Sequence, residues 1–435
     1  MAAKRVICVG CMPVLVGTKK RNSAKTSLPV AAAWLAAAAA LALAGCNRAE
    51  RTSSPASQTV QAAPAPTATP AGYVYITNNG EGTVSELGRQ ADGTLNFLRT
   101  AKAGAVNGPT GIAIDPSNRF LYVANEGDDR VYQFRIKRDT GDLSTIGEGA
   151  VDAGPASHPQ QIAISPRGDF AYVTNSGNDI DGKDSDGSIA EYAIDSTTGA
   201  LKPLEIFRGS GLQSPLGIAF MPNGKFVYVS DSGAGTLVAF AVEPSGKLKL
   251  VASTPSLGDK PGHPGLIAVH PSSAFVYSVD RLLGTVVVAK PAEDGKLSVT
   301  NTYHVGISTS GPFGVALAAV GPKMFVYTGN RGSDTVSTLE VKPGGLEIVG
   351  ECPTGMGYPT GMVTDSSGHL LYVVDRDAST VTQFALADSD GIAIFPTAAV
   401  FTGLEPSEAS HPLYIAMTRW DAPSSVAQAQ EQRTK

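Results

Sequence analysis

One phrase occurs seven times along the chain and constrains its fold more than any other feature. It consists of a tyrosine, two small or apolar residues, and then an asparagine or aspartate. The tyrosines are separated by 47, 50, 56, 49, 50 and 45 residues. They are Tyr75, Tyr122, Tyr172, Tyr228, Tyr277, Tyr327 and Tyr372. A period of this length indicates one structural unit used seven times.

Each repeat divides into four strand-like segments. An apolar segment such as 111–114 comes first, the tyrosine phrase second, and an alternating segment such as 236–240 third. A turn containing glycine and leucine, as in 141–143, then opens the fourth. The 48 glycines and 29 prolines among 435 residues fit the many turns this requires. The pattern predicts an all-β fold, a seven-bladed β-propeller of four-stranded antiparallel blades.

The C-terminal segment bears on how the ring closes. The first repeat has no inner strand of its own, whereas residues 410–417 copy the inner-strand phrase of residues 157–164. We therefore predict that a C-terminal inner strand joins the first blade, which removes open sheet edges. A two-domain arrangement is the alternative, and it leaves this permuted repeat as a coincidence.

The repeat resembles the YVTN propeller repeat. The period near 50 and the recurring turn before the fourth strand make it similar to the seven-bladed lactonase family, which includes 6-phosphogluconolactonase and the fungal carboxymuconate cyclase. The resemblance covers about 350 residues, from Tyr73 to about Arg419. It implies the propeller fold and the possibility of lactone hydrolysis, although one fold hosts many functions.

The N-terminal segment has the layout of a secretory signal. A basic region precedes an apolar run that ends in Leu43-Ala44-Gly45-Cys46. This ending resembles the bacterial lipobox, which implies that residues 1–45 are removed and that Cys46 is lipidated. A transmembrane anchor is the alternative. We expect a flexible linker over 46–71, the propeller over 72–420 and a disordered tail over 421–435.

Charge and the residue after Cys46 suggest where the protein acts. The formal net charge is −5, and removal of residues 1–45 takes it to −11, which argues against a nucleic-acid partner. Asn47 is not the aspartate that resembles an inner-membrane retention signal. We therefore expect a lipid-anchored protein of the bacterial cell envelope, on the outer membrane in preference to the inner one. We expect a monomer.

Strand polarity locates a candidate site at one mouth of the central channel. The inner strand and the tyrosine strand are antiparallel neighbours, so the start of one and the end of the other share a face. A proline begins each inner strand and favours extended geometry at the residue before it. Three of those preceding residues are His158, His263 and His411, which are candidate proton carriers. Alternatively, these histidines only cap the turn.

The residues after the tyrosine strands differ between blades. Blades five, six and seven carry Arg281, Arg331 and Arg376, which suit the binding of carboxylate or phosphate. Separate salt bridges with neighbouring aspartates such as Asp280 and Asp375 are the alternative. Glu126 follows the tyrosine strand of the second blade and is a candidate general base, or an ordinary solvated glutamate.

An insertion in the third blade is rich in aspartate. Asp179, Asp181, Asp184 and Asp186 offer oxygens that suit Ca²⁺, but Lys183 stands where an EF-hand loop needs a ligand. We favour a solvated acidic loop, assign no metal and expect no cofactor.

Two functions remain open from the sequence. The first is lactone hydrolysis, with a base activating water and cationic groups stabilising the oxyanion. The resemblance implies a Gly-Pro-Arg-His start to one inner strand, a glutamate after that blade's tyrosine strand, and Asp-Arg pairs. The pairs 280–281 and 375–376 and Glu126 match, but no arginine follows any of the seven prolines, which argues against a phosphosugar substrate. The second is a non-catalytic, membrane-tethered propeller that binds a protein, glycan or small ligand.

Overall fold

A computed structural model describes residues 70–419, except 156, 178–185, 210, 307–310, 356 and 403–409. Within that part of the chain, strands form seven antiparallel sheets of four strands each. None of the described residues belongs to a helix long and apolar enough to cross a membrane. The prediction of an all-β, seven-bladed propeller is confirmed.

The first four blades, each given from the channel outward, contain the following strands. Blade one has β28 (Pro412–Met417), β1 (Gly72–Asn78), β2 (Thr83–Arg89) and β3 (Leu95–Lys102). Blade two has β4 (Pro109–Ile114), β5 (Phe120–Asn125), β6 (Arg130–Ile136) and β7 (Leu143–Asp152). Blade three has β8 (Pro159–Ile164), β9 (Phe170–Asn175), β10 (Ser188–Ile194) and β11 (Leu201–Arg208). Blade four has β12 (Pro215–Phe220), β13 (Phe226–Asp231), β14 (Thr236–Val242) and β15 (Leu248–Pro255).

The remaining three blades follow the same order. Blade five has β16 (Pro264–Val269), β17 (Val276–Asp280), β18 (Thr285–Pro291) and β19 (Leu297–His304). Blade six has β20 (Pro312–Val320), β21 (Lys323–Asn330), β22 (Thr335–Lys342) and β23 (Gly345–Pro353). Blade seven has β24 (Pro359–Thr364), β25 (Leu370–Asp375), β26 (Thr380–Leu386) and β27 (Ala393–Phe401).

The last strand closes the ring as predicted. Strand β28 pairs antiparallel with β1, so that Tyr75 lies opposite Ala416. The Tyr73 backbone N–H donates to Thr418 Oγ1, and the Thr418 N–H donates to the Tyr73 carbonyl, both at 2.9 Å. Strand β28 comes from the far end of the chain and supplies the inner strand of blade one. The inner edge of β1 is therefore paired, and blade one has four strands like the other blades.

The repeated tyrosines hold neighbouring blades together. In five blades the tyrosine hydroxyl donates at 2.7 Å to the carbonyl of the turn glycine before the fourth strand of the next blade. The pairs are Tyr75 with Gly141, Tyr122 with Gly199, Tyr172 with Gly246, Tyr327 with Gly391, and Tyr372 with Gly93. We call each interface between two adjacent blades a seam. The tyrosine phrase therefore stabilises the ring as well as its own strand.

The turn glycine at a seam is required for two reasons. Gly199 has a φ of +79°, a conformation that L side chains rarely adopt. A Cβ at this position would also overlap the ring of Phe120 in the preceding blade. The glycine of the predicted turn thus allows close packing between blades.

Polar side chains on the third strands add a second seam contact. Glu86, Gln133 and Glu191 lie opposite the repeated tyrosines and accept from the backbone N–H that begins the next blade's fourth strand, at 3.2, 2.8 and 3.1 Å. Burial raises the pKa of Glu191 to about 7. This carboxyl is therefore a pH-sensitive element within a seam.

Blades four and five lack this arrangement. Ala239 and Val288 occupy the position on their third strands. The hydroxyls of Tyr228 and Tyr277 are buried and find no hydrogen-bond partner among the described residues. The seams that follow these two blades therefore rest on apolar packing.

Candidate functional site

The start of each inner strand and the end of each tyrosine strand lie on one face, which we call the upper face. In six blades the residue after the tyrosine strand donates its backbone N–H to the carbonyl of the residue before the inner-strand proline, over 2.8–3.3 Å. The pairs are Asn79 to His411, Glu126 to Gly108, Ser176 to His158, Ser232 to Ser214, Arg281 to His263, and Arg376 to Tyr358. All the predicted site residues that the structure describes, apart from Asp186, belong to this face.

The expectation of extended geometry before the prolines is wrong in four blades. Residues His158, Gly311, Tyr358 and His411 have φ values of 45°, 54°, 60° and 41°. Carboxylates from the preceding blades stabilise two of them, since the His158 N–H donates to Asp129 and the Tyr358 N–H to Asp334, at 2.7 and 2.8 Å. Only the residue in blade six is a glycine, so the other three hold bulky side chains in a conformation that costs energy.

The floor of the upper mouth is mainly apolar. Leu216, Leu266, Phe313 and Tyr414 are buried in one cluster of inner-strand side chains. A cavity of about 100 Å³ remains in the channel, and all seven inner strands contribute to its lining. A ligand at the upper face would therefore rest above a nearly filled channel.

Arg331 is held at the mouth by aromatic rings. Its guanidinium lies 5.0 Å from the ring centre of Phe313 and 4.8 Å from that of Tyr358. Its Nη1 donates to the Tyr358 hydroxyl at 2.8 Å and its Nε to the Gly311 carbonyl at 3.3 Å. Stacking of this kind fixes the plane of the guanidinium.

The other two arginines flank this stack. The guanidinium of Arg376 lies 5.3 Å from the ring centre of Tyr358, on blade seven. Arg281 donates from Nη2 to Ser232 Oγ at 2.7 Å, and its Nε is buried without a partner among the described residues. Burial, followed by the charge of Arg331, lowers the pKa of Arg281. The cluster therefore concentrates positive charge, and a bound anion would offset the repulsion between its guanidinium groups.

The salt-bridge alternative for these arginines does not hold within the described residues. None of the three has a carboxylate within ion-pair distance there. The Asp280 carboxylate accepts from the backbone N–H groups of His263, Leu282 and Leu283 instead. Asp375 accepts from Thr382 Oγ1 at 2.6 Å, and burial raises its pKa to about 7. Asp280 therefore caps the backbone, Asp375 binds a threonine hydroxyl, and neither pairs with an arginine of the cluster.

Glu126 lies on the opposite side of the mouth, between two amides. Asn79 Nδ2 donates to one carboxylate oxygen at 3.2 Å, and Gln160 Nε2 donates to the other at 2.8 Å. The side chain is half-buried, and its role as a general base stays a prediction. Its orientation is fixed by neutral donors, and each oxygen keeps a second acceptor position.

The three candidate histidines have different environments on the upper face. His158 and His411 are half-buried, and the Nδ1 of His411 is buried without a partner among the described residues. His263 is exposed, and its backbone N–H donates to Asp280. Their proposed role as proton carriers stays a prediction.

Tyr414 is a site residue that the sequence reasoning missed. Burial raises its pKa, as does the charge of Glu126, whereas Arg281 and Arg331 act in the opposite direction. Its ring centre lies 5.9 Å from that of Phe313, on which Arg331 stacks. A signal was present in the sequence, because four of the seven blades have glycine at this position, the second after the proline.

Two other predictions fall wholly or mostly outside the described residues. Cys46 lies outside them, as do Asp179, Asp181 and Asp184, whereas Asp186 is described and exposed. Within the described ranges, no group of three or more histidine, cysteine, aspartate or glutamate residues could hold a metal ion.

Comparison of sequences relates most of the propeller to known proteins. The profile described as "Lactonase, 7-bladed beta-propeller" matches residues 36–157, 213–300 and 263–393. An uncharacterised protein of Staphylococcus aureus is 32% identical over 169 residues, which cover 38% of this chain and 48% of that protein. A second, from another strain, is 31% identical over 176 residues. The chain thus spans about half the length of the curated relatives it matches.

Comparison of structures gives distant neighbours. A Pseudomonas aeruginosa protein named as the periplasmic gluconolactonase is 20% identical, with a TM-score of 0.66 over 80% of this chain and 99% of that one. Hydrazine synthase of Kuenenia stuttgartiensis is 17% identical, with a TM-score of 0.53 over 76% and 100%. Identities this low show the fold alone, and the two names illustrate how different the functions of one fold are.

Proposed function

Because this chain belongs to the seven-bladed β-propeller lactonase family, we propose that it hydrolyses a lactone bearing an anionic group at the upper mouth of its channel. The observation that carries the proposal is the charge arrangement. Arg281, Arg331 and Arg376 come from adjacent blades and have no carboxylate partner among the described residues, while an oriented Glu126 lies on the other side. A structural neighbour named as a gluconolactonase adds support.

Each group has a role in the proposed reaction. The arginines hold the acidic group of the substrate and stabilise the charge that develops on the carbonyl oxygen. Glu126 removes a proton from a water molecule that attacks the carbonyl carbon. The ring C–O bond then breaks, the ring oxygen takes a proton, and a hydroxy acid leaves. His158 and His411 are candidates to supply that proton, and His263, which is exposed, is a weaker one.

The experiment measures hydrolysis of a panel of sugar and aliphatic lactones by the purified protein. The test variant combines Arg281→Ala, Arg331→Ala and Arg376→Ala. The control combines Arg119→Ala, Arg135→Ala and Arg167→Ala, which removes the same charge away from the upper face: Arg119 and Arg167 lie in the turns that follow inner strands β4 and β8, and Arg135 lies on β6 opposite Phe120. We expect the first variant to lose at least about a hundredfold in kcat/KM and the second to keep it.

Glu126→Gln tests the base separately. The amide preserves the size of the side chain but cannot accept a proton, so we expect kcat to fall by about 100-fold or more while KM changes little. Equal rates in wild type and Glu126→Gln would contradict the assignment of Glu126. Hydrolysis unaffected by the arginine triple variant would contradict the placement of the site.

A non-catalytic binding role is the second candidate. One observation favours it: Leu282 and Leu283, in the turn directly after Arg281, are 57% and 49% exposed. Exposed apolar side chains beside a cationic site suit contact with a partner. Absence of turnover across the lactone panel, together with arginine-dependent binding of an anion, would favour this role.

We also propose that the propeller acts in the cell envelope, anchored through lipid on Cys46. The Leu-Ala-Gly-Cys motif supports this proposal, and one neighbour is named as periplasmic. Lipid attached to the terminal residue of a linker would leave the propeller outside the bilayer. In Cys46→Ser, labelling by a radioactive fatty acid should disappear. Labelling retained in that variant would contradict the proposal.

A further inference from the structure

Tyr414 occupies a position where most blades have no side chain. It is the second residue after the proline of its inner strand, where β4, β12, β20 and β24 have glycine. Thr77 Oγ1 accepts from the Tyr414 backbone N–H at 3.1 Å and fixes the strand at this point. The side chain lines the channel cavity together with Leu266 and Ile112. Tyr414 thus belongs to the closing strand β28, and its side chain fills the upper end of the channel.

The hydroxyl of Tyr414 is distinctive in its surroundings. The residue is only 4% exposed, and no described residue accepts a hydrogen bond from its hydroxyl. This hydroxyl is not among the described side-chain atoms that are buried without a partner, so it remains open to water or to a ligand. The hydroxyls of Tyr228 and Tyr277, in contrast, are buried without a partner within packed seams, whereas the Tyr414 side chain lines a cavity and is acted on by charged groups.

Three charged side chains converge on this residue from different blades. Arg331 stacks on Phe313, and Phe313 packs against the Tyr414 ring. Arg281 and Glu126 act electrostatically on the same phenol, from blades five and two. A phenol O–H on which two guanidinium groups and a carboxylate act electrostatically is an additional donor for an anionic oxygen.

We propose that the Tyr414 hydroxyl donates a hydrogen bond to the bound ligand and completes the anion site with Arg281 and Arg331. The ligand class is a compact carboxylate with an apolar side that rests on Leu216, Leu266 and Phe313. This inference rests on the proposed function, because it takes the arginines to be an anion site. To the proposed anion site it adds a hydrogen bond from Tyr414, at the floor of the mouth, and a preference for ligands with an apolar side.

The test compares wild type with Tyr414→Phe, which keeps the ring and its contact with Phe313. The probes are gluconate, which is polar throughout, and 4-hydroxybutyrate, which has an apolar chain; each is titrated by calorimetry. We expect wild type to prefer 4-hydroxybutyrate, and Tyr414→Phe to bind it about tenfold more weakly, the value of one hydrogen bond to a charged group. The thermal midpoint should be unchanged, because the hydroxyl that is removed has no hydrogen-bond acceptor among the described residues.

Tyr122→Phe is the matched control, because it removes the same atom from a seam. It should lower the thermal midpoint by losing its bond to Gly199 and leave 4-hydroxybutyrate affinity unchanged.

Equal affinity in wild type and Tyr414→Phe would overturn this inference and leave the arginine site standing. A lower midpoint in Tyr414→Phe with unchanged affinity would show a structural role and overturn it too. Failure of both probes to bind wild type would overturn the anion site and this inference together. Tyr414-dependent binding without any lactone turnover would support the inference while contradicting catalysis.

Discussion

The seams between blades and the upper mouth of the channel are built from the same repeat in opposite ways. At the seams, one contact recurs: a tyrosine hydroxyl donates to a glycine carbonyl at 2.7 Å in five of the seven blades. At the mouth, the residues that follow the same tyrosine strands differ, from Asn79 and Glu126 to Arg281, Arg331 and Arg376. Stability therefore depends on what the blades share, and the candidate site depends on how they differ.

Because of this difference, we expect mutations at the seams and mutations at the mouth to change different properties of the protein. A change at a seam should lower the free energy of unfolding and leave ligand affinity intact, because the seam tyrosines and glycines are buried between blades. A change at the mouth should do the reverse, because the arginines there are held by stacking and single hydrogen bonds. The following predictions test that separation.

The largest expected effect on stability comes from Gly199→Ala. The substitution places a Cβ against the Phe120 ring at a φ of +79°, so overpacking adds to backbone strain. We expect a loss of about 3 kcal/mol in the free energy of unfolding, measured in urea. Gly147→Ala is the control, since Gly147 has a φ of +56° with no atom near its missing Cβ, and it should lose only about 1 kcal/mol. Equal losses would show that strain alone matters.

At the mouth, Arg331→Ala should reduce carboxylate affinity by about 10- to 100-fold, because it removes a charge-assisted donor. Arg331→Lys keeps the charge but cannot stack in a plane between Phe313 and Tyr358, so we expect an intermediate affinity. Calorimetric titration with 4-hydroxybutyrate and urea unfolding measure both properties. A loss of stability as large as that of Gly199→Ala, with affinity unchanged, would remove the distinction between mouth and seam.

The shared features of the blades could be predicted from sequence. The tyrosine phrase, the turn glycine and the proline recur often enough that their common period identifies the blade. The copy of residues 157–164 at 410–417 also identifies the closing strand, now seen as β28 paired with β1. Backbone pairing follows from such local patterns because each blade repeats the same register.

The face that carries the candidate site could be predicted from sequence, but the contacts among its side chains could not. Its face follows from strand polarity, whereas the pairing of each side chain depends on neighbours from other blades. Asp280 seemed available to Arg281, yet its oxygens cap the backbone of His263, Leu282 and Leu283. Tyr414 escaped notice because it lies far in sequence from the charged residues around it.

A pH-dependent prediction concerns the seam that contains Glu191. Its folded-state pKa is raised to about 7 by burial, so the folded protein holds this proton more tightly than the unfolded chain does. Its contribution makes stability fall as pH rises from about 4.5 to about 7. Glu191→Gln should remove this dependence and raise the free energy of unfolding at pH 8 by about 1–2 kcal/mol relative to wild type, with little gain at pH 4.5.

The reciprocal variant is Gln133→Glu, because Gln133 makes the equivalent contact in blade two. It should lower stability at pH 8 and not at pH 4.5, measured by urea unfolding at both values. Glu191→Gln that is less stable than wild type at pH 8 would show that the ionised carboxylate is favourable in this seam.

The smallest expected effect distinguishes the seams from one another. Tyr122→Phe removes a hydroxyl that donates to Gly199 and should cost about 1 kcal/mol of unfolding free energy. Tyr228→Phe and Tyr277→Phe remove buried hydroxyls that have no partner among the described residues, so they should cost nothing or stabilise slightly. Because all three substitutions delete the same atom from the same strand position, urea unfolding compares the hydrogen bond alone. If all three cost the same, the stability of the ring comes from the tyrosine rings and not from the bond that joins each blade to the next.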